Sequence, residues 1–115
     1  MPCFREPVRN AGEQFQFRLT GATNLLRASV LLVEVDRATG TTHDQKFTEA
    51  QFRQGQVQGT LRAGWTYVIT VTVLPQDPTQ EISSQTDVTF DGQTQNVPCK
   101  RKRTGVISTW VITVP

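Results

Sequence analysis

The chain has 115 residues, of which 37% are hydrophobic and 19% are charged, and its formal net charge is +2. We expect one folded domain over residues 1–115, because a chain of this length can build a single core without a metal and its aliphatic and aromatic content excludes a disordered chain. No apolar run approaches the roughly 18 residues that span a bilayer, so we expect no insertion into a membrane.

The first predicted strands rest on alternation between apolar and polar residues. Residues 14–19, QFQFRL, place two phenylalanines and a leucine on one side, which is typical of a half-buried strand. Residues 25–35, LLRASVLLVEV, are apolar on both sides and predict a central strand. The loop DRATGTT, with Gly40, and the return HDQKF predict a hairpin.

The stretch FTEAQFRQG interrupts this alternation. Thr48 and Gln51 have the spacing of a capping box, so we expect either one short helical turn near residues 48–54 or a loop. QVQGTL then resumes the period of two and leads into LRAGWTYVITVTV, residues 61–73, the most regular strand. Its odd-numbered residues from Tyr67 onward should cover a core, while its threonines should meet water or a neighbouring strand.

Two further strands complete the pattern. SSQTDVTF ends at a turn signal, Asp91 and Gly92, after which a basic loop leads to the terminal GVISTWVITV. Seven or eight short strands with turns every 8 to 12 residues or so predict an all-β sandwich or barrel. The 17 threonines and 12 glutamines favour strand faces whose polarity comes from uncharged side chains.

A short motif narrows this prediction. Leu61, Gly64 and Tyr67, followed by Ile69 and Val71, resemble the residues that lead into strand F of fibronectin type III and related immunoglobulin-like domains. The resemblance implies an immunoglobulin-like antiparallel β-sandwich of seven to eight strands, in which the tyrosine hydroxyl bonds to main chain just upstream. It covers residues 61–71 alone and implies a fold, not a function.

The two cysteines, Cys3 and Cys99, lie near the two ends of the chain. An intramolecular disulfide between them would add about 4 to 5 kcal/mol through chain entropy. Two free thiols and a bond between subunits are the alternatives, which the spacing does not separate.

Residues for catalysis or metal binding are not grouped in the sequence. His43 is the only histidine and falls in a threonine-rich hairpin, the serines lack the context of a nucleophile, and the acidic residues are scattered singly. Two sulfurs and one distant imidazole give no metal-ligand spacing. We therefore expect a protein that is not an enzyme and that holds no cofactor or metal.

A basic run is the first candidate binding feature: Lys100, Arg101, Lys102 and Arg103. Such a run attracts anions or is simply a solvated loop. We expect no nucleic-acid partner, because no aromatic residue interleaves the run. A carbohydrate partner stays open through stacking on the two tryptophans, Trp65 and Trp110, for which core packing is the alternative.

The terminal strand is the second candidate. Its apolar residues lie on both sides, with Val106, Trp110, Ile112 and Val114 on one and Ile107 and Val111 on the other. Either the strand is central in its own sheet, or it pairs with or packs on a neighbouring subunit.

These features predict a non-enzymatic structural or interaction module whose partners are other protein subunits. A subunit or decoration protein of a larger assembly, such as a bacteriophage virion, is the leading hypothesis. The alternative is a secreted or cell-surface module for adhesion or carbohydrate binding. The N-terminal MPCFREPVRN lacks the apolar segment of a signal peptide, so we expect a virion location, or an extracellular one if Met1 is not the native start.

Overall fold

The structure is a computed structural model that describes residues 3–102 and 105–115. Nine strands and one short helix make up this part of the chain. In chain order they are β1 (Cys3–Arg5), β2 (Gln14–Thr23), β3 (Leu25–Asp36), β4 (Thr42–Thr48), α1 (Glu49–Arg53), β5 (Val57–Thr60), β6 (Trp65–Pro75), β7 (Glu81–Phe90), β8 (Gln93–Lys102) and β9 (Val106–Thr113).

The strands form two sheets that pack as a β-sandwich, which confirms the predicted all-β class. One sheet has five strands in the order β1-β9-β6-β3-β4, and the other has four in the order β5-β2-β7-β8. Neighbouring strands run antiparallel, except that β1 lies parallel to β9.

The core between the sheets is built by the predicted alternation. Phe15 of β2 packs against Tyr67 of β6, and the ring centroid of Phe17 lies 4.9 Å from that of Trp110 of β9, with Ile69 buried in the same core. Successive side chains of a strand point to opposite faces, so the remaining residues of β3, β6 and β9 turn away from the core.

Tyr67 makes the main-chain contacts that the motif around it predicts. Its ring is fully buried, and its hydroxyl accepts a hydrogen bond from the Arg62 N–H at 2.9 Å and donates one to the Thr60 carbonyl at 3.3 Å. A buried phenol needs such partners, and here they fix the entry into β6. Burial raises the pKa of Tyr67 above its ordinary value of 10.0, although the hydrogen bond from Arg62 opposes this shift.

The short helix near residue 48 is confirmed. Thr48 is its N-cap, where the hydroxyl accepts from the Gln51 N–H at 3.2 Å and the Gln51 side chain accepts from the Thr48 N–H at 2.9 Å. The helix carries the fully buried Phe52 and connects the five-stranded sheet to the four-stranded one.

The predicted strand number and the predicted basic loop were wrong. The three residues of β1 are too short for a periodic signal, and Gln93–Lys102, where the sequence predicts a turn and a loop, is the strand β8. It lies at the edge of its sheet and buries only Val97 and Cys99, so most of its residues are polar. Pro98 suits an edge position, because its missing N–H can face solvent there.

The terminal strand β9 is central in its own sheet, so its backbone pairs within the domain and not with a neighbouring subunit. It pairs with β6 along its length and with β1 over Ser108 to Trp110, and Val8 forms a further bridge to Thr113. Among the described residues it offers no long free edge to a partner strand. Val106, Trp110, Ile112 and Val114 are buried, whereas Ile107 and Val111 point away from the core.

Candidate interaction surfaces

The outer surface of the five-stranded sheet is built from the residues of β3, β6 and β9 that alternate with the core. Cross-strand register places them in rows, such as Val33, Val68 and Val111 side by side. We call this surface the apolar face, and between the two ends of the sheet it carries no charged side chain on these three strands. It comprises Ser29, Leu31, Val33 and Val35 of β3, Thr66, Val68, Thr70, Thr72 and Leu74 of β6, and Ile107, Thr109, Val111 and Thr113 of β9.

The margins of the apolar face differ from each other. On the side of β1, Phe4 lies opposite Thr109 with 48% of its surface exposed, and Val8 lies opposite Thr113 with 68% exposed. On the side of β4, the exposed Asp44 and Lys46 lie beside Val33 and Leu31. Arg27, opposite Leu74, marks one end.

The outer surface of the four-stranded sheet, which we call the polar face, has the opposite chemistry. Its side chains pair with one another: the Asp87 carboxylate lies 3.8 Å from Arg18 and accepts from the Asn96 amide at 2.8 Å. Thr89 and Thr94 share a hydrogen bond of 2.8 Å. On its two central strands this face comprises Gln14, Gln16 and Arg18 of β2 and Glu81, Ser83, Gln85, Asp87 and Thr89 of β7.

The basic run does not form one patch in the described residues. Lys100 and Arg101 are consecutive in β8, so they point to opposite sides of the strand, with Lys100 exposed and Arg101 half-buried. Lys102 pairs with Glu81 at the backbone level. The side chain of Lys102 and the whole of Arg103 lie outside the described residues.

Cys3 and Cys99 are joined by a disulfide, with their Cα atoms 6.0 Å apart. The bond connects β1 of one sheet to β8 of the other across the open side of the sandwich. A groove of about 380 Å³ lies beside it, lined among others by Phe4, Val97 and Trp110. The disulfide therefore fixes the β1 margin, and with it Phe4, to the body of the domain.

Both tryptophans contact other side chains of the domain. The His43 ring stacks on Trp65 at 6.0 Å between centroids and 11° between planes, and the Arg62 guanidinium lies 5.1 Å from the centroid of the same ring. Trp110 is only 3% exposed. A sugar ring that stacked on Trp65 would have to compete with these contacts, and Trp110 is buried in the core.

No cluster of three histidine, cysteine, aspartate or glutamate residues that could hold a metal occurs in residues 3–102 and 105–115. Over the same residues, no helix is long and apolar enough to cross a membrane. Comparisons of the chain with protein-family models, with curated proteins and with solved structures return no match.

The apolar face was not recognised from the sequence. Its signal is the absence of charge from two separate stretches, VITVTV in β6 and VISTWVITV in β9, at positions that alternate with core residues. Only the pairing of β9 with β6 shows that these positions adjoin.

Proposed function

We propose that this domain is a non-enzymatic interaction module that docks onto a protein partner through the apolar face, as a subunit or decoration protein of a larger assembly such as a bacteriophage virion. One observation carries the proposal: the uncharged, aliphatic and threonine-rich surface of β3, β6 and β9. Contiguous apolar patches on soluble domains mark sites of interaction with proteins far more often than isolated apolar residues do.

We also propose that the sandwich is a variant of the immunoglobulin-like fold. The contacts of the Tyr67 hydroxyl and the strand order β9-β6-β3-β4 support this, since they match the corner tyrosine and the order G-F-C-C′ of that fold. In the variant, the hairpin β7–β8 is inserted between the equivalents of strands F and G and extends the second sheet beyond β2.

The disulfide between Cys3 and Cys99 favours a second candidate, a secreted or cell-surface adhesion module. Such bonds persist in oxidising compartments and are rare in the cytosol. Both candidates place the domain outside a reducing cytosol at its working site, and both use a protein-binding surface. They differ in the assembly that the domain joins.

Site-specific photo-crosslinking tests the proposed function. A photoreactive amino acid replaces Val68, at the centre of the apolar face, and in a matched variant it replaces Thr89, on a central strand of the polar face. After irradiation in native cells or particles, we expect defined protein adducts from position 68 and none of these from position 89. No adduct at position 68, or the same adducts from both positions, would overturn the proposal. Adducts that purify with virus particles support the virion, and adducts at the cell surface support the adhesion module.

A further inference from the structure

We propose that the partner of the apolar face is a second copy of this chain, packed face to face about a two-fold axis that runs across the strands at the level of Gln45, Leu32 and Ile69. This inference rests on the proposed function, because it names the occupant of the same surface. Its support comes from the size of the face and from the order of charges along its β4 margin.

The size of the face suits a symmetric dimer. The apolar face with its β4 and β1 margins spans five strands about 4.8 Å apart, which average about eight residues at ~3.4 Å per residue, and its projected area is roughly 600 Å². The accessible surface of a pleated face exceeds its projection, so it approaches the ~800 Å² per partner that a standard interface buries. Sheets pack about 10 Å apart at this kind of contact, with side chains interdigitating.

The charges at the β4 margin are ordered for self-pairing. Asp44 and Lys46 are two residues apart, so they point to the same side of β4, and both are exposed. Neither takes part in an ion pair among the described residues. A two-fold axis at the level of Gln45 lays β4 antiparallel over β4 of the second copy and sets Asp44 of each copy against Lys46 of the other.

The same axis matches the apolar rows. Cross-strand register puts Asp44 in one row with Val33 and Val68, and Lys46 in the next row with Leu31 and Thr70. The rotation exchanges these rows, so Val33 meets Leu31 of the second copy and Val68 meets Thr70. Phe4 lies in the row of Thr70 and Lys46, so the rotation sets it against the Val111 row of the second copy, one row away from that copy's Phe4.

The other two-fold axis in the plane of the face, parallel to the strands, is disfavoured. It would place β4 of one copy over β1 of the other, with Lys46 against the apolar Phe4 and Asp44 against the row of the exposed Glu6, a like charge. Burying a charge against an apolar ring without a partner is costly. The charge order therefore selects the axis across the strands.

Charge exchange tests the proposal on the purified chain. Sedimentation velocity over a wide concentration range should show a dimer. Asp44→Lys alone and Lys46→Asp alone should each raise the dimer Kd by about tenfold or more, because each creates two like-charge contacts in the symmetric dimer. The double variant Asp44→Lys/Lys46→Asp restores both pairs and should return the Kd to near its original value.

A further pair of variants separates face packing from edge pairing, since antiparallel pairing of two β4 edges would also set Asp44 against Lys46. Val68→Asp lies two strands away from β4 and should abolish the dimer, whereas Thr89→Asp on the polar face should leave it intact; thermal unfolding checks that both variants fold.

A dimer that survives Val68→Asp, a double variant without rescue, or a chain that is monomeric at every concentration would each overturn the proposal. If the chain is monomeric while position 68 crosslinks to a different protein, this inference fails and the proposed function stands. If position 68 gives no adduct, the proposed function and this inference both fail.

Discussion

The apolar face and the polar face cover the same core, yet they are built from different residues. Valine and threonine both favour strands, so strand propensity alone could account for β6. It does not account for the contrast, because β7 occupies an equally central place in its sheet with Ser83, Asp87 and Thr89 on its outer side. The difference shows that the two faces present different chemistry, and the proposed docking onto a second surface accounts for it.

The edges of the two sheets extend this contrast. The edge strand β8 exposes polar residues, among them Thr94 and Lys100, and includes Pro98, all of which discourage pairing with another strand. The edge strand β4 instead carries one charge of each sign beside the apolar face. A like-charged pair there would repel a second copy, whereas an opposite pair at this spacing is complementary to itself.

The largest expected effect comes from the bond that joins the two sheets. Replacing both cysteines, Cys3→Ser/Cys99→Ser, should lower the free energy of unfolding by about 4 kcal/mol, because the disulfide closes most of the chain into a loop. Denaturant unfolding measures this, with reduced and oxidised wild-type protein as the matched pair. The same variant frees β1 and should expose more of the groove beside Trp110. A loss below about 1 kcal/mol would show that the bond contributes little to the native state.

The next largest loss of stability is expected on the core side of β6, at Tyr67, whose neighbour Val68 points to the apolar face. Tyr67→Phe leaves the Arg62 N–H without its acceptor and should cost about 1 to 3 kcal/mol in unfolding free energy. Chemical denaturation of the two proteins measures the difference. An unchanged stability would mean that water replaces the hydroxyl at no cost.

The raised pKa of Tyr67 makes the free energy of unfolding depend on pH in the alkaline range. The folded protein holds the phenolic proton above pH 10, where the unfolded chain loses it, so the folded state binds more protons and stability falls as pH rises through this range. Tyr67 is the only tyrosine, so the absorbance of tyrosinate reports this group directly in the folded protein. Its midpoint should lie above 10.0, and Tyr67→Phe should remove this part of the alkaline loss of stability.

A smaller loss of stability is expected at the N-terminus of α1, the helix that links the two sheets. Thr48→Ala removes the acceptor of the Gln51 N–H and should cost about 1 kcal/mol. Thr48→Ser keeps the hydroxyl and serves as the control, with thermal unfolding as the measurement. Equal losses for the two variants would assign the effect to the threonine methyl group and not to the cap.

The sequence predicts the elements whose signals are local. Alternation predicts β2 and β6, the capping box offers α1 as one of two alternatives, and Gly40 marks a turn that indeed has a positive φ of 73°. The edge strand β8 is not predicted, because an edge strand buries few residues. Val97 and Cys99 are its only periodic signal. The three residues of β1 carry no period at all.

The candidate surface could not be predicted in the same way, because it depends on register between strands far apart in the chain. Val68 lies beside Val111 only because β9 pairs with β6 and not with its neighbour in sequence, β8. The sequence does predict that the terminal strand is apolar on both sides, through Ile107 and Val111 on its second side. The role of β3 and β6 in the same surface, and the Asp44 and Lys46 margin, follow only from the sheet order.

The smallest expected effect is also the most direct comparison of the two faces. Val68→Thr and Thr89→Val exchange their chemistry at matched central positions, and each should change the unfolding free energy of the monomer by no more than about 0.5 kcal/mol, since neither side chain belongs to the core. Denaturation at protein concentrations below the dimer Kd measures this, and self-association at high concentration should weaken for Val68→Thr alone. A cost well above 1 kcal/mol for Val68→Thr in the monomer would mean that the valine rows stabilise the sheet itself, and the apolar face would then lose its meaning as a docking surface.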